Sequence, residues 1–169
     1  LDETGLEMLG LNTSRGDVAA GENGLAALPN REAEARAAID QALDYAQIIG
    51  AGAVHVMAGF ASGESAHKTF VANLRYATAQ AAKNGITILI EPLNHYDAKG
   101  YFLSTTAQAV AVIEEVKAPN LRLMFDCYHV QLMEGDLTNR LKVEFSHTSS
   151  RLFENFALRC NLRFQKVNC

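Results

Sequence analysis

Apolar residues recur along this chain in two alternating rhythms. Short runs of nearly continuous apolar character, at residues 6–11, 53–57, 86–90 and 121–125, are separated by longer stretches in which apolar residues return every three or four positions. The first run follows Gly5, and residues 1–4 before it resemble the last turn of a helix, so the chain is expected to begin in mid-element. Asn30 is expected to cap the first full helix, with Glu32 and Glu34 in its electropositive first turn; Ile39, Leu43, Ala46 and Ile49 share a face, and Gly50 ends it. Val71, Leu74, Thr78 and Ala81 mark a second helix, closed by Gly85. Thr105 with Gln108 forms a capping box before Val112, Ile113 and Val116, the apolar face of a third.

Strands apolar on both faces and alternating with helices imply a parallel sheet covered by helices, the α/β class. A doubly wound open sheet and a (β/α)₈ barrel both satisfy that pattern. The polar residues favour the barrel, because Asn12, His55, Glu91 and Asp126 fall in or at the ends of successive strands, and no phosphate-cradling glycine motif occupies a strand-to-helix turn. A complete barrel takes about 250 residues, and only four strands are legible in 169 residues. The expectation is therefore a partial (β/α)₈ TIM barrel over residues 1–141, followed by an atypical tail over 142–169. From Lys142 onward five Lys/Arg face two Glu, whereas the preceding residues hold ten against seventeen Asp/Glu, so the charge balance changes sign there. Two readings of the tail stand: a foreign or alternatively spliced ending, or an ordinary terminal helix with Leu152, Phe153, Phe156 and Leu162 as its apolar face.

Composition narrows the function classes. A net charge of −4 with no Lys/Arg cluster removes the electrostatic drive for nucleic-acid binding. No run approaches a membrane span and the N-terminus lacks a signal-peptide pattern. Three cysteines, Cys127, Cys160 and Cys169, form neither an even disulfide set nor a C-x-x-C pair, which suits a reducing cytoplasm.

The candidate chemistry lies at the strand ends. Glu91 follows an apolar strand directly and precedes Pro92; a carboxylate there needs a partner, either a structural Arg or Lys or a functional cation. Asp126 repeats the arrangement one unit later. Two carboxylates at adjacent strand ends can share Mg²⁺ or Mn²⁺. His129, three residues on, reads equally as a group on the same rim or as a structural histidine, and His55 as site lining or as plain burial. Cys127 is expected to point away from Asp126 by strand alternation, as a small buried hydrophobe. Residues 94–102 exceed a usual connection, which favours a functional loop whose aromatics cover the site. Glu134-Gly135-Asp136 reads as an exposed acidic turn.

The stretches Val54-His55-Val56-Met57-Ala58-Gly59, Ile90-Glu91-Pro92-Leu93-Asn94, Gly100-Tyr101-Phe102-Leu103 and Phe125-Asp126-Cys127-Tyr128-His129, continuing through Met133-Glu134-Gly135-Asp136-Leu137, together resemble the hydroxypyruvate isomerase family. This family includes the 2-oxo-tetronate isomerases and belongs to the xylose-isomerase-like barrels. Gly16-Asp17, Ala20-Gly21-Glu22 and Gly24-Leu25-Ala26-Ala27-Leu28-Pro29 match it too, so the likeness covers residues 1–141. It implies a cytoplasmic enzyme that interconverts an α-hydroxy ketone and a hydroxy aldehyde on a short hydroxy-oxo acid. Glu91 would be a metal ligand and one of two acid/base glutamates, and Asp126 a second ligand. His55, Asn94 and His129 would meet the substrate, with His129 donating to a substrate oxygen.

The family's remaining metal ligand and second glutamate lie on later strands that residues 142–169 do not recognisably supply. The chain alone is therefore expected to be feebly active at best, and to associate through its open sheet edges. The alternatives carried forward are a non-catalytic truncated or spliced product, a ketose 3-epimerase of the same fold, and a barrel nuclease, the last disfavoured by the acidic balance and the scarcity of histidine ligands.

Overall fold

The computed structural model describes residues 5–144. Strands and helices alternate: β1 (Leu11–Asn12), α1 (Glu32–Ile49), β2 (Ala53–His55), α2 (Gly63–Ala82), β3 (Thr87–Ile90), α3 (Thr106–Val116), β4 (Leu121–Leu123), then α4 (Cys127–Met133) and α5 (Leu137–Glu144). The strands form one parallel sheet in the order β1-β2-β3-β4, with Leu11 opposite Val54, Val54 opposite Ile88, and Ile88 opposite Leu121. Sequential order with a helix between each parallel pair is the repeating unit of a barrel wall, so the described residues build a partial (β/α)₈ barrel.

Register partners share a face. Val54, Ile88, Ile90, Leu121 and Leu123 turn outward and are buried in one core with Ile39 and Leu43 of α1, Phe70 and Leu74 of α2, and Val112 and Ile113 of α3. The alternate positions Asn12, His55, Leu89 and Arg122 share the opposite, inner face. The helices form where the apolar spacing predicts them; Val71, Leu74, Thr78 and Ala81 are all buried on α2.

The strands are shorter than the apolar runs. Of the first run only Leu11 enters the sheet, as the start of β1, and Leu6 lies outside it, 69% exposed. α1 begins one residue later than expected. Arg31 stands at its N-cap without a side-chain bond, while Asn30 adopts φ 67° and its backbone N–H donates to Glu32 Oε1 at 3.2 Å. Asn30 is therefore a left-handed turn residue and not the cap, a conformation asparagine tolerates better than most. Gly50 does end α1 in the left-handed conformation, and Thr105 does cap α3, its hydroxyl accepting from Gln108 N at 3.2 Å while Gln108 Oε1 accepts from Ser104 N at 3.0 Å.

Two glycines hold the segment between β1 and α1 against the end of β2. Gly24 bridges Ala58, and Ala26 N and Ala27 N donate to Met57 O and Ala58 O. Gly59 has φ +93°, and a Cβ there would meet Gly24 O at 2.2 Å; a Cβ on Gly24 would meet Met57 O at 2.5 Å. Any side chain at either position would push the two backbones apart.

The change in charge balance near residue 142 coincides with no element boundary, since α5 runs through it to Glu144. The proposed helical turn at residues 1–4 and the apolar face of Leu152, Phe153, Phe156 and Leu162 lie outside the described residues.

Candidate active site

Glu91 and Asp126 reach the same rim because β3 and β4 are neighbours in register. Met124 N donates to Ile90 O at 2.9 Å, so Glu91 leaves the sheet beside Met124, and Asp126 is two residues further on the same inner side. Asp126 is the N-cap of α4 and accepts from Tyr128 N at 2.7 Å. His129 sits three residues on, where the helical repeat returns it to the side of its cap. One ligand atom from each of Glu91, Asp126 and His129 lies within 4.8 Å of the others.

The structural ion pair weighed for Glu91 does not form. Its side chain is 13% exposed, and among the described residues the only basic group within 4.0 Å is His55, whose Nδ1 is 3.8 Å from Glu91 Oε2. Burial, reinforced by the negative charge of Asp126, pushes the Glu91 carboxyl up to about 8. His55 is 3% exposed, and burial holds its imidazole down to about 4, so it brings no positive charge to Glu91 at neutral pH. His55 Nδ1 lies 3.2 Å from Asn12 Oδ1, and Nε2 has no hydrogen-bond partner among the described residues. His55 is thus buried in the inner wall and lies beside Glu91, so both of its readings stand.

Asn94 makes its contacts within the protein. The resemblance implies substrate contact, yet its side chain is fully buried and fully employed. Its Oδ1 accepts from Tyr96 N and Asp97 N, both at 3.0 Å, and its Nδ2 reaches Asp97 Oδ2 at 2.9 Å and His129 Nδ1 at 2.7 Å. No polar atom of the amide is left for a substrate. Asp97 also accepts from Tyr128 Oη at 2.8 Å, and these bonds, Asn94 first, hold its carboxyl below the usual range. The β3–α3 loop is thus pinned to α4, which sequence reasoning did not foresee. The signal available was the Asn-x-x-Asp spacing, which favours a side-chain-capped turn.

Other expectations also move. Cys127 is the first residue of α4, not of a strand, and is only partly buried. Tyr101 and Phe102 are buried, Tyr101 Oη accepting from Ala58 N at 2.8 Å and its ring meeting Phe60 edge-on, while Phe102 packs on Phe70. Glu134 is no exposed acid. It is 10% exposed and accepts from Thr106 N at 2.8 Å, Thr106 Oγ1 at 3.0 Å and Arg140 Nη1 at 2.6 Å, which ties α4 and α5 to the N-terminus of α3.

Chemically, the rim offers two carboxylates without a basic counterion and an imidazole beside them. Their oxygen donors fit a divalent cation, whose charge would offset the burial and the repulsion from Asp126 that together raise Glu91.

Known proteins resemble this chain over most of its length. A 2-oxo-tetronate isomerase of Cupriavidus necator is 47% identical over 146 residues, 84% of this chain and 56% of the relative. A hydroxypyruvate isomerase of Escherichia coli is 44% identical over 135 residues, 77% of this chain and 52% of the relative. The chain thus spans about half the length of the curated relatives it matches. Among solved structures, one described as an AP endonuclease, family 2, from Brucella melitensis superposes with a TM-score of 0.85 at 38% identity, covering 88% of this chain and 59% of that one. The model of the xylose isomerase-like TIM barrel family matches residues 1–163, and with the parallel four-unit wall described above this chain belongs to that family.

Proposed function

We propose that this chain carries part of the active site of an aldose–ketose isomerase acting on a short hydroxy-oxo acid, of the hydroxypyruvate to tartronate semialdehyde type. The observation that carries the reading is the convergence of the buried Glu91 carboxyl with Asp126 and His129 on one rim. Relatives named for such isomerases support it.

In this reading Glu91 and Asp126 hold Mg²⁺ or Mn²⁺, which when bound stabilises negative charge developing on the substrate oxygens. Glu91 takes the proton from the hydroxyl-bearing carbon; the electron pair of that C–H bond moves into the new C=C bond, and the former carbonyl oxygen takes up the charge and a proton. Return of a proton to the former carbonyl carbon and loss of one from the other oxygen complete an exchange with no net change in redox state. His129 supplies a hydrogen bond to a substrate oxygen. Asp126, anchored as the cap of α4, fixes where the charge of the pair sits.

The compartment in this reading is the cytoplasm, in keeping with the odd number of cysteines. No helix among the described residues is long and apolar enough to cross a membrane. The partners in this reading are a small hydroxy-oxo acid and, for the chain alone, another copy of itself through the sheet edges.

The test is Glu91→Gln in a full-length protein containing this segment. Turnover of hydroxypyruvate or a similar 2-oxo acid is expected to vanish while substrate binding largely survives, because the amide keeps the volume and one oxygen but carries no basic site. Wild-type turnover in the variant would remove Glu91 from its role. Assay of carboxylate-bearing against neutral ketoses separates this reading from a ketose 3-epimerase of the same fold.

A further inference from the structure

His129 has two nitrogens, and the structure distinguishes them. Nδ1 faces two donors at once: Asn94 backbone N–H at 3.2 Å and Asn94 Nδ2 at 2.7 Å. The amide orientation is fixed independently, since Asn94 Oδ1 is held by the backbone N–H groups of Tyr96 and Asp97, which leaves Nδ2 to point at His129 and at the acceptor Asp97 Oδ2. A nitrogen that receives two N–H groups must present its lone pair, and a neutral imidazole then carries its proton on the other nitrogen.

We infer that Asn94 is a positioning residue which locks His129 in the Nε2–H tautomer, so that the free nitrogen of the ring is a hydrogen donor with no lone pair to offer a metal ion. A neutral imidazole with Nδ1 engaged and Nε2 protonated has no lone pair left for a cation. Glu91 and Asp126 would then hold a cation without imidazole help, and His129 would address a substrate oxygen. That last use rests on the isomerase reading; the tautomer does not. The lock also ties the state of His129 to the β3–α3 loop, because Asp97, the second partner of Asn94 Nδ2, is held by Tyr128 beside His129.

The test is the long-range proton–nitrogen spectrum of the imidazoles in the metal-free chain, with His129 assigned from the signal lost in His129→Gln. The wild-type ring is expected to show a pyridine-like Nδ1 and a pyrrole-like Nε2. Asn94→Asp keeps the acceptor for Tyr96 and Asp97 but turns the donor toward His129 into an acceptor, so Nδ1 is expected to gain a proton and shift toward the pyrrole-like position. A wild-type ring protonated on Nδ1 overturns the inference whatever the variant does, and an unchanged ring in a folded Asn94→Asp shows that the side chain sets nothing. An Nε2–H ring in a protein that isomerises no hydroxy-oxo acid would sink the functional reading and leave the lock standing.

Discussion

The Nδ1 atom of His55 stands 3.8 Å from Oε2 of Glu91, and in the metal-free protein between about pH 4 and pH 8 the two form no ion pair, because burial keeps the imidazole neutral and the carboxyl protonated. A buried acid and a buried base 3.8 Å apart, both uncharged, leave the Glu91 carboxyl without a counter-charge from the inner wall.

This relationship fixes a pH dependence. Glu91 is raised from 4.5 to about 8, so its protonation favours the fold fully below pH 4.5, and that stability is lost as pH rises to about 8. His55 is lowered from 6.5 to about 4, so its neutral form favours the fold above 6.5, and that stability is lost as pH falls toward 4. The two slopes cancel between about 4.5 and 6.5, where the metal-free chain is expected to be most stable. Above that window it should weaken by about 1.4 kcal/mol per pH unit up to about 8. Urea unfolding across pH 4 to 9 checks this: Glu91→Gln should abolish the alkaline fall, and millimolar Mg²⁺ or Mn²⁺ should offset it in the wild type. An alkaline limb unchanged in the variant would exclude Glu91 as its source.

Glycine positions separate two kinds of cost. Gly59→Ala places a methyl 2.2 Å from a backbone oxygen and is expected to destabilise by more than about 2 kcal/mol, whereas Gly50→Ala meets nothing within 4 Å and should lose only about 1 kcal/mol for its left-handed backbone. Denaturation midpoints rank the two; equal losses would mean that the Gly24–Gly59 contact relaxes freely.

Glu134→Ala leaves the buried Thr106 N–H and hydroxyl without their acceptor and is expected to cost about 2 to 3 kcal/mol. Glu64→Ala, which breaks an exposed pair with Lys68, should change stability by less than about 1 kcal/mol. Comparable effects for the two would show that Glu134 adds no more than a surface contact.

Both outer strands of the sheet, β1 and β4, present one unpaired edge among the described residues. Expressed alone, the chain is expected to self-associate and to show little isomerase activity, read by light scattering and by turnover of hydroxypyruvate. A concentration-independent monomer would mean that these edges are shielded.

The helical faces and the parallel order were legible because they depend on period alone: Ile39, Leu43 and Ala46, or Val112, Ile113 and Val116, could share one face only in a helix. The place of Glu91 and Asp126 was legible because a carboxylate abutting an apolar strand is costly to desolvate unless a cation or a reaction makes use of it. What escaped were polar residues whose partners are distant in sequence. Asn94 finds His129 35 positions away and Glu134 finds Thr106 28 away, distances at which no local pattern exists to read. Cys127 was misplaced by one structural event, the early end of β4 at Leu123 that lets Asp126 start a helix.

The order β1-β2-β3-β4 means that every strand lies against the one synthesised just before it. Among these strands each βα unit can dock on the one made before it as the chain leaves the ribosome, without waiting for a partner further along the sequence. Glu91 and Asp126 follow β3 and β4, so the two carboxyl groups meet only after β1 and β2 are available to support them.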